Sequence, residues 1–280
     1  ASLLSIINYS ATRRLLTIAR GHPYERDAFA GLFETLTDFD TCHVEQPLAQ
    51  RLLGPEAADE FDAIVCYDMP GVDFTAADAP RLVEPDPGFR EDFLAMLEAG
   101  IGLVFMHHAI ASWPAWPEFA EILGARFHYR PGTLRGEDWP DSGYRHEVRH
   151  RLRKSGAHPV TAGLPEEFEM VDELYLCPVF EEDVIPLLRS DYAFIDSNFY
   201  SSARAVAGEM YSRSGWSHPP GSDLVAWATR RGNSPIVYLQ GGDDGAAMTN
   251  RHLRQLVRNA VRWVSGDDAK GWAAARNKKT

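Results

Sequence analysis

Two adjacent histidines, His107 and His108, stand directly behind the uncharged apolar run Gly102–Met106. Such a run suits a strand buried on both faces of a parallel sheet. In open α/β sheets the C-terminal strand edge is where ligands and catalytic groups gather. Imidazole titrates near neutrality and binds metals through a ring nitrogen, so a histidine pair at that edge points to proton transfer or metal ligation. Of two neighbours, one is expected to face the cleft and the other the core or a backbone carbonyl. Three more groups end predicted strands in the same way: His22 behind Leu15–Ala19, Asp68 after Asp62–Tyr67, and Asp243 behind Ile236–Gln240. If those strands are parallel, all of these side chains share one edge. Imidazole and carboxylate together are a donor set for zinc, with manganese or iron as alternatives. Each group also has a plain structural use, as a turn residue or a helix cap.

Around this edge the sequence places further candidates. The stretch Ser112–Pro117 is aromatic and proline-stiffened, and Trp113, Trp116 and Tyr175 are either core residues or platforms for the apolar faces of sugar rings. His128, between Phe127 and Tyr129, either packs near the surface or joins the histidines as a ligand.

His146-Glu147-Val148-Arg149-His150 matches HExxH, the zinc-protease signature. That chemistry needs a helix, where positions i and i+4 share a face. Here Tyr144, His146, Val148, His150 and Leu152 alternate with charged residues at the period of a strand. On a strand the two histidines would stand about 13 Å apart, at about 3.3 Å per residue, too far for one metal. The protease reading is set aside, and either histidine is left to face a pocket singly, His146 as a candidate ligand.

The elements that must position these groups alternate. Leu15–Ala19 precedes a helical pattern at Ala28, Phe29, Leu32, Phe33 and Leu36; Thr41–Val44 and Asp62–Tyr67 read as strands, and Phe89–Glu98 as a helix. Residues 72–87 read as a loop. This rhythm predicts an α/β fold with a doubly wound, mostly parallel sheet. The middle third breaks it: Tyr144–Arg153, Glu169–Val179 and Val184–Leu188 are strand-like, and residues 190–222 read as polar and aromatic loop. Leu224–Thr229 and Ile236–Gln240 return to strand, and Asn250–Val264 is an amphipathic helix stopped at Gly266. No repeat or linker appears, so residues 1–280 read as one domain with a core of about 15–266, an N-terminal arm and a polar, frayed tail.

At 280 residues and 45% hydrophobic, the chain can bury a large core. Its net charge of −12 argues against nucleic acid, whose binding draws on clustered Lys and Arg. No run reaches the roughly 20 apolar residues of a membrane helix, and no signal-peptide pattern opens the sequence. The three cysteines, Cys42, Cys66 and Cys177, have no CxxC spacing, which fits a reduced cytoplasmic protein. The expected partner is a small-molecule substrate; a homo-oligomer, paired through helices or the N-terminal arm, is compatible with this fold class.

His107-His108, Trp113–Glu118, His158–Leu164 and Asp172-Glu173-Leu174-Tyr175 together give a resemblance to the ThuA-like family, named for trehalose utilisation. The match runs from about Leu15 to Gly266 and includes Gly21-His22-Pro23, Tyr67–Gly71, Gly124–Pro131 and Asn259–Trp263. The resemblance implies a flavodoxin-like fold similar to class I glutamine amidotransferases. It does not imply their activity, because the turn that bears their cysteine nucleophile holds His107 and His108 here. It further implies carbohydrate metabolism and, for some members, metal-dependent chemistry on keto-sugars or glycosides, with the Asp172-Glu173 motif either supplying the general acid or base or pairing with the arginine-rich strand. Relatives often carry Gly-His after the last strand, where this chain has Gly242-Asp243, so that either a carboxylate replaces a histidine ligand or the site is altered. The expectation is therefore a hydrolase or lyase using His107, His108, Asp68 and Glu173, with Asp243 and the aromatics on the substrate and His22, His128 and His146 on a metal. The rival readings are a non-catalytic sugar-binding module and an interaction protein with structural histidines.

Overall fold

The computed structural model describes residues 10–275, and its architecture follows from which strands are apolar on both faces. A ten-stranded sheet is built from β1 (Arg13–Arg20), β2 (Phe39–Glu45), β3 (Ala63–Asp68), β4 (Gly102–Met106), β5 (Gly143–Lys154), β6 (Glu167–Leu176), β7 (Ile185–Ser190), β8 (Tyr200–Ser201), β9 (Leu224–Arg231) and β10 (Ser234–Leu239). Their order is β6-β5-β7-β9-β10-β4-β3-β1-β2, with β8 paired to β5. The half β10-β4-β3-β1-β2 is parallel throughout, the expected doubly wound core. The elaborated middle of the chain supplies the antiparallel half.

Central β4 is buried along its whole length because it is covered on both faces. Val104 and Met106 point into one layer with Val65, Val237 and Leu239, and Leu103 and Phe105 into the other with Ile64, Cys66 and Ile236. The helices α1 (Arg26–Gly31), α2 (Pro87–Ala99), α3 (Pro117–Leu123), α4 (Ser202–Val206), α5 (Arg251–Val264) and α6 (Asp267–Ala274) surround the sheet. Asp86 caps α2 by accepting from the Gly88 and Phe89 N–H groups, Pro87 occupies its first turn, and left-handed Gly100 (φ 90°) ends it. Apolar residues of α5, Leu253, Leu256, Val257, Ala260, Val261 and Val264, fill the first layer; α2 and α3 contribute Phe89, Phe93, Phe119 and Ile122 to the second.

Several boundaries differ from the sequence reading. The first part of the expected frayed tail, Asp267–Ala274, forms α6, which buries Ala269 and Ala273 and sets Trp272 5.6 Å from Trp263. Gly266 has an ordinary φ of −86° and begins α6 instead of stopping α5. Residues 190–222 contain β8 and α4, and the loop 72–87 contains a two-stranded ribbon, Val72–Asp73 with Arg81–Leu82. Most of the proposed N-terminal arm and the last residues of the tail lie outside the described residues; Arg13 and Arg14 belong to β1.

Candidate functional site

β4 delivers His107 and His108 to the C-terminal edge of the parallel strands, and a left-handed backbone at His107 (φ 51°) sends the two rings apart. His107 Nδ1 lies 2.7 Å from the Gln240 carbonyl at the end of β10 and donates to it. Its Nε2 faces a carboxylate oxygen of Glu173 at 3.0 Å, Asp243 Oδ1 at 3.4 Å and the Tyr175 hydroxyl at 2.7 Å. His108 turns the other way and donates from Nε2 to the Tyr67 carbonyl at 2.8 Å. It stacks on His22 at 4.6 Å, and burial holds its pKa well below the imidazole range, so it is neutral. His22 is tied through Nδ1 to the Pro23 carbonyl at 2.9 Å, which leaves Nε2 as its free nitrogen. Burial also lowers its pKa.

A β-bulge completes the cluster. Val148 pairs with Asp172 and Arg145 with Leu174, so His146 and Glu147 together oppose the single residue Glu173. Glu147 takes a left-handed φ of 53° there, and His146 Nε2 reaches the second oxygen of Glu173 at 3.0 Å. The bulge also breaks the strict alternation read from the sequence: Tyr144 packs in one layer, Val148 and Leu152 in the other. His150 meets Ser190 Oγ at 2.8 Å beside Leu152, Leu253 and Leu256. The HExxH histidines thus serve different surroundings, and no common metal joins them.

The electrostatics are those of a buried ion cluster. Burial opposes charge on both His107 and Glu173, but their hydrogen bonds outweigh it. His107, bonded to Asp243 and Glu173, has its pKa raised well above the usual range. Glu173, bonded to His107 and His146, is held below the usual carboxylate range. With Nδ1 donating to Gln240, the His107 Nε2 that faces two carboxylates carries either a second proton or a cation. His107, Glu173 and Asp243 each offer one ligand atom, and these atoms lie within 4.8 Å of one another.

Asp172, read from the sequence as half of an acid–base motif or an arginine partner, serves as neither in the structure. Asp172, 4% exposed, accepts from the N–H groups of Gly242 (2.8 Å), Asp243 (3.1 Å) and Glu173 (2.9 Å). It clamps the turn after β10 onto β6 and so fixes Asp243 and Glu173 against His107. Its place beside Glu173 was visible in the sequence; that its carboxylate bonds three peptides was not.

Other candidates are held elsewhere. Asp68 ends β3 with its carboxylate accepting from Gln46 Nε2 at 2.7 Å instead of joining the histidines. Trp113 and Trp116 are 6% and 3% exposed and packed against Phe89, Phe93 and Phe119, so their faces are already covered by core. Of the three aromatics only Tyr175 reaches the cluster. His128 lies apart, its peptide N–H on Ser142 Oγ, and burial lowers its pKa to about 4. Of the ligand candidates read from the sequence, His146 reaches the cluster through Glu173, His22 stacks on His108 and His128 lies apart; among the described residues, His107, Glu173 and Asp243 are the groups whose ligand atoms lie together. Cys66 and Cys177 are buried and Cys42 lies on β2, so the His107 turn has no cysteine nucleophile.

Residues 22–264 match the family described as ThuA, trehalose utilisation. The chain belongs to that family. Solved structures agree in fold: a ThuA-like protein from Bacteroides uniformis has a TM-score of 0.60 at 19% identity, covering 91% of this chain and 92% of its own. A ThuA-like protein from Parabacteroides merdae also has a TM-score of 0.60, at 16% identity with 90% of each chain covered. A cytoplasmic protein from Salmonella typhimurium has a TM-score of 0.55 at 10% identity, covering 90% of this chain and 98% of its own. No curated protein matches the chain. In this ThuA-family chain, no helix among the described residues is long and apolar enough to cross a membrane.

Proposed function

We propose that the strand-end cluster is the active centre of a cytoplasmic enzyme that hydrolyses or eliminates a small, polyhydroxylated, carbohydrate-derived substrate such as a keto-sugar or glycoside. The observation that carries this reading is the convergence of Glu173, Asp243 and Tyr175 on one buried nitrogen, His107 Nε2. Charged groups taken out of water are costly unless paired, and clusters of ionisable groups with perturbed pKa values mark functional sites more often than chance. Membership of a family described by trehalose utilisation supports a carbohydrate.

The donor set suits a divalent cation. His107 donates one ring N–H to the Gln240 carbonyl, as metal-ligating histidines characteristically do, and the two carboxylates oppose its other nitrogen. Zinc, or alternatively manganese or iron, held by His107, Glu173 and Asp243 would polarise a substrate carbonyl or acidify a bound water. The chain's own groups then divide the proton work. Tyr175 keeps its proton, because burial raises its pKa well above the phenol range, and donates a hydrogen bond toward the developing oxyanion. His146, hydrogen-bonded to Glu173 with its side chain 33% exposed, exchanges protons with solvent. His22 and neutral His108 form the stacked wall opposite.

The test is metal content and turnover of wild type, His107→Ala and Glu173→Gln, each checked for fold by circular dichroism and assayed on glycosides and their keto derivatives. Folded variants that lose both near-stoichiometric metal and turnover are expected. Folded variants that keep full turnover would overturn the assignment; ligand binding without turnover in wild type would favour a binding module.

A further inference from the structure

Beside His146 stands an aromatic ring that is hydrogen-bonded at both of its polar ends yet exposed. Tyr211 follows α4 on a loop whose start turns at Gly208 (φ 91°) and whose Ser212 carbonyl accepts the Ser201 N–H at 2.9 Å, pinning the loop to β8. The Tyr211 N–H donates to the Tyr144 hydroxyl at 2.9 Å, and its own hydroxyl lies 3.3 Å from His146 Nδ1. Its backbone is left-handed, φ 58°, a conformation uncommon outside glycine and costly to hold. Both polar ends are therefore tied down while the residue remains 56% exposed, with Met210 beside it at 50%. Tyr211 connects directly to the chemistry, because the other nitrogen of His146 bonds Glu173.

An immobilised aromatic face next to a buried, highly polar centre matches a ligand that is apolar on one face and rich in hydroxyls at its edge. A pyranose ring has that character: its C–H bonds lie on a face and its hydroxyls point outward. Nucleobases also stack on tyrosine, but the net charge of −12 disfavours the phosphates attached to them.

Resting on the active-centre reading above, we propose that Tyr211 is the sugar-ring platform of this site and selects cyclic over acyclic polyols. Its ring covers the C–H face of the bound pyranose, while its hydroxyl keeps His146 directed at Glu173. The phenol's ring and hydroxyl are thus assigned separable roles, the first in affinity and the second in orienting His146.

Saturation-transfer NMR with a panel of methyl D-glycopyranosides and with sorbitol tests this on wild type, Tyr211→Ala and Tyr211→Phe, with circular dichroism as the fold control. Wild type should bind at least one glycopyranoside more tightly than sorbitol, with saturation strongest on the ring C–H protons. Tyr211→Ala should weaken that binding about tenfold or more, and Tyr211→Phe, which keeps the ring, by less than about twofold. Equal binding by folded Tyr211→Ala, a wild-type preference for sorbitol, or no glycopyranoside binding by wild type would each overturn the proposal. Loss of metal and turnover in His107→Ala is scored separately, so the platform and the active centre can fail independently.

Discussion

Replacing Asp68 by asparagine should make the protein more stable at neutral pH and leave its stability nearly unchanged near pH 4. Asp68 is 5% exposed, and its carboxylate accepts from the neutral Gln46 amide. Burial raises its pKa from 3.8 to about 6. A carboxyl with a raised pKa holds its proton more tightly in the folded state, so the stability it confers is present below pH 3.8 and lost as pH rises through about 6. At about 1.36 kcal/mol per pH unit, that interval corresponds to about 3 kcal/mol at pH 7.5 and roughly half of that at pH 5. Asparagine preserves an acceptor for Gln46 and never ionises. Urea unfolding of wild type and Asp68→Asn at pH 4, 5, 6 and 7.5 reads the difference directly, since groups common to both proteins cancel. The variant's advantage should grow between pH 4 and 6 and then level off. A pH-independent difference, or a variant less stable at pH 7.5, would refute the reasoning and mean that Asp68 has a partner when ionised.

Asp172→Ala removes the acceptor shared by three peptide N–H groups and should destabilise the fold by about 1–3 kcal/mol for each that water cannot reach; urea unfolding measures this, and reduced metal content should accompany it. His146, whose pKa is raised by its hydrogen bond to Glu173, should titrate by NMR above 6.5 in wild type and at lower pH in Glu173→Gln; that pairing is present at low pH and lost as pH rises through the folded pKa. Gly102→Ala places a Cβ 2.1 Å from the Val264 carbonyl, where α5 crosses β4, and should cost about 1–3 kcal/mol or more by thermal unfolding.

Local chemistry determined much of this protein before any tertiary contact. The apolar run Gly102–Met106 suits only a strand covered on both faces, so its end, with His107 and His108, had to fall at the ligand-bearing edge. The period of two through Val148–Leu152 excluded a helical HExxH, and the apolar spacing within Phe89–Glu98 marked the body of α2, although its capped ends at Asp86 and Gly100 were not read. The tertiary structure decided which edge groups meet. Asp68 and His107 both end central strands, yet Gln46 holds one and Glu173 the other. The bulge that turns His146 onto Glu173 depends on how β5 registers with β6, and register is a relation between two segments. Asp172 and Asp243, far apart in sequence, come together only when β10 and β6 carry their ends to the same place. Sequence periodicity encodes the burial of a face, whereas a constellation of charges is encoded by long-range packing.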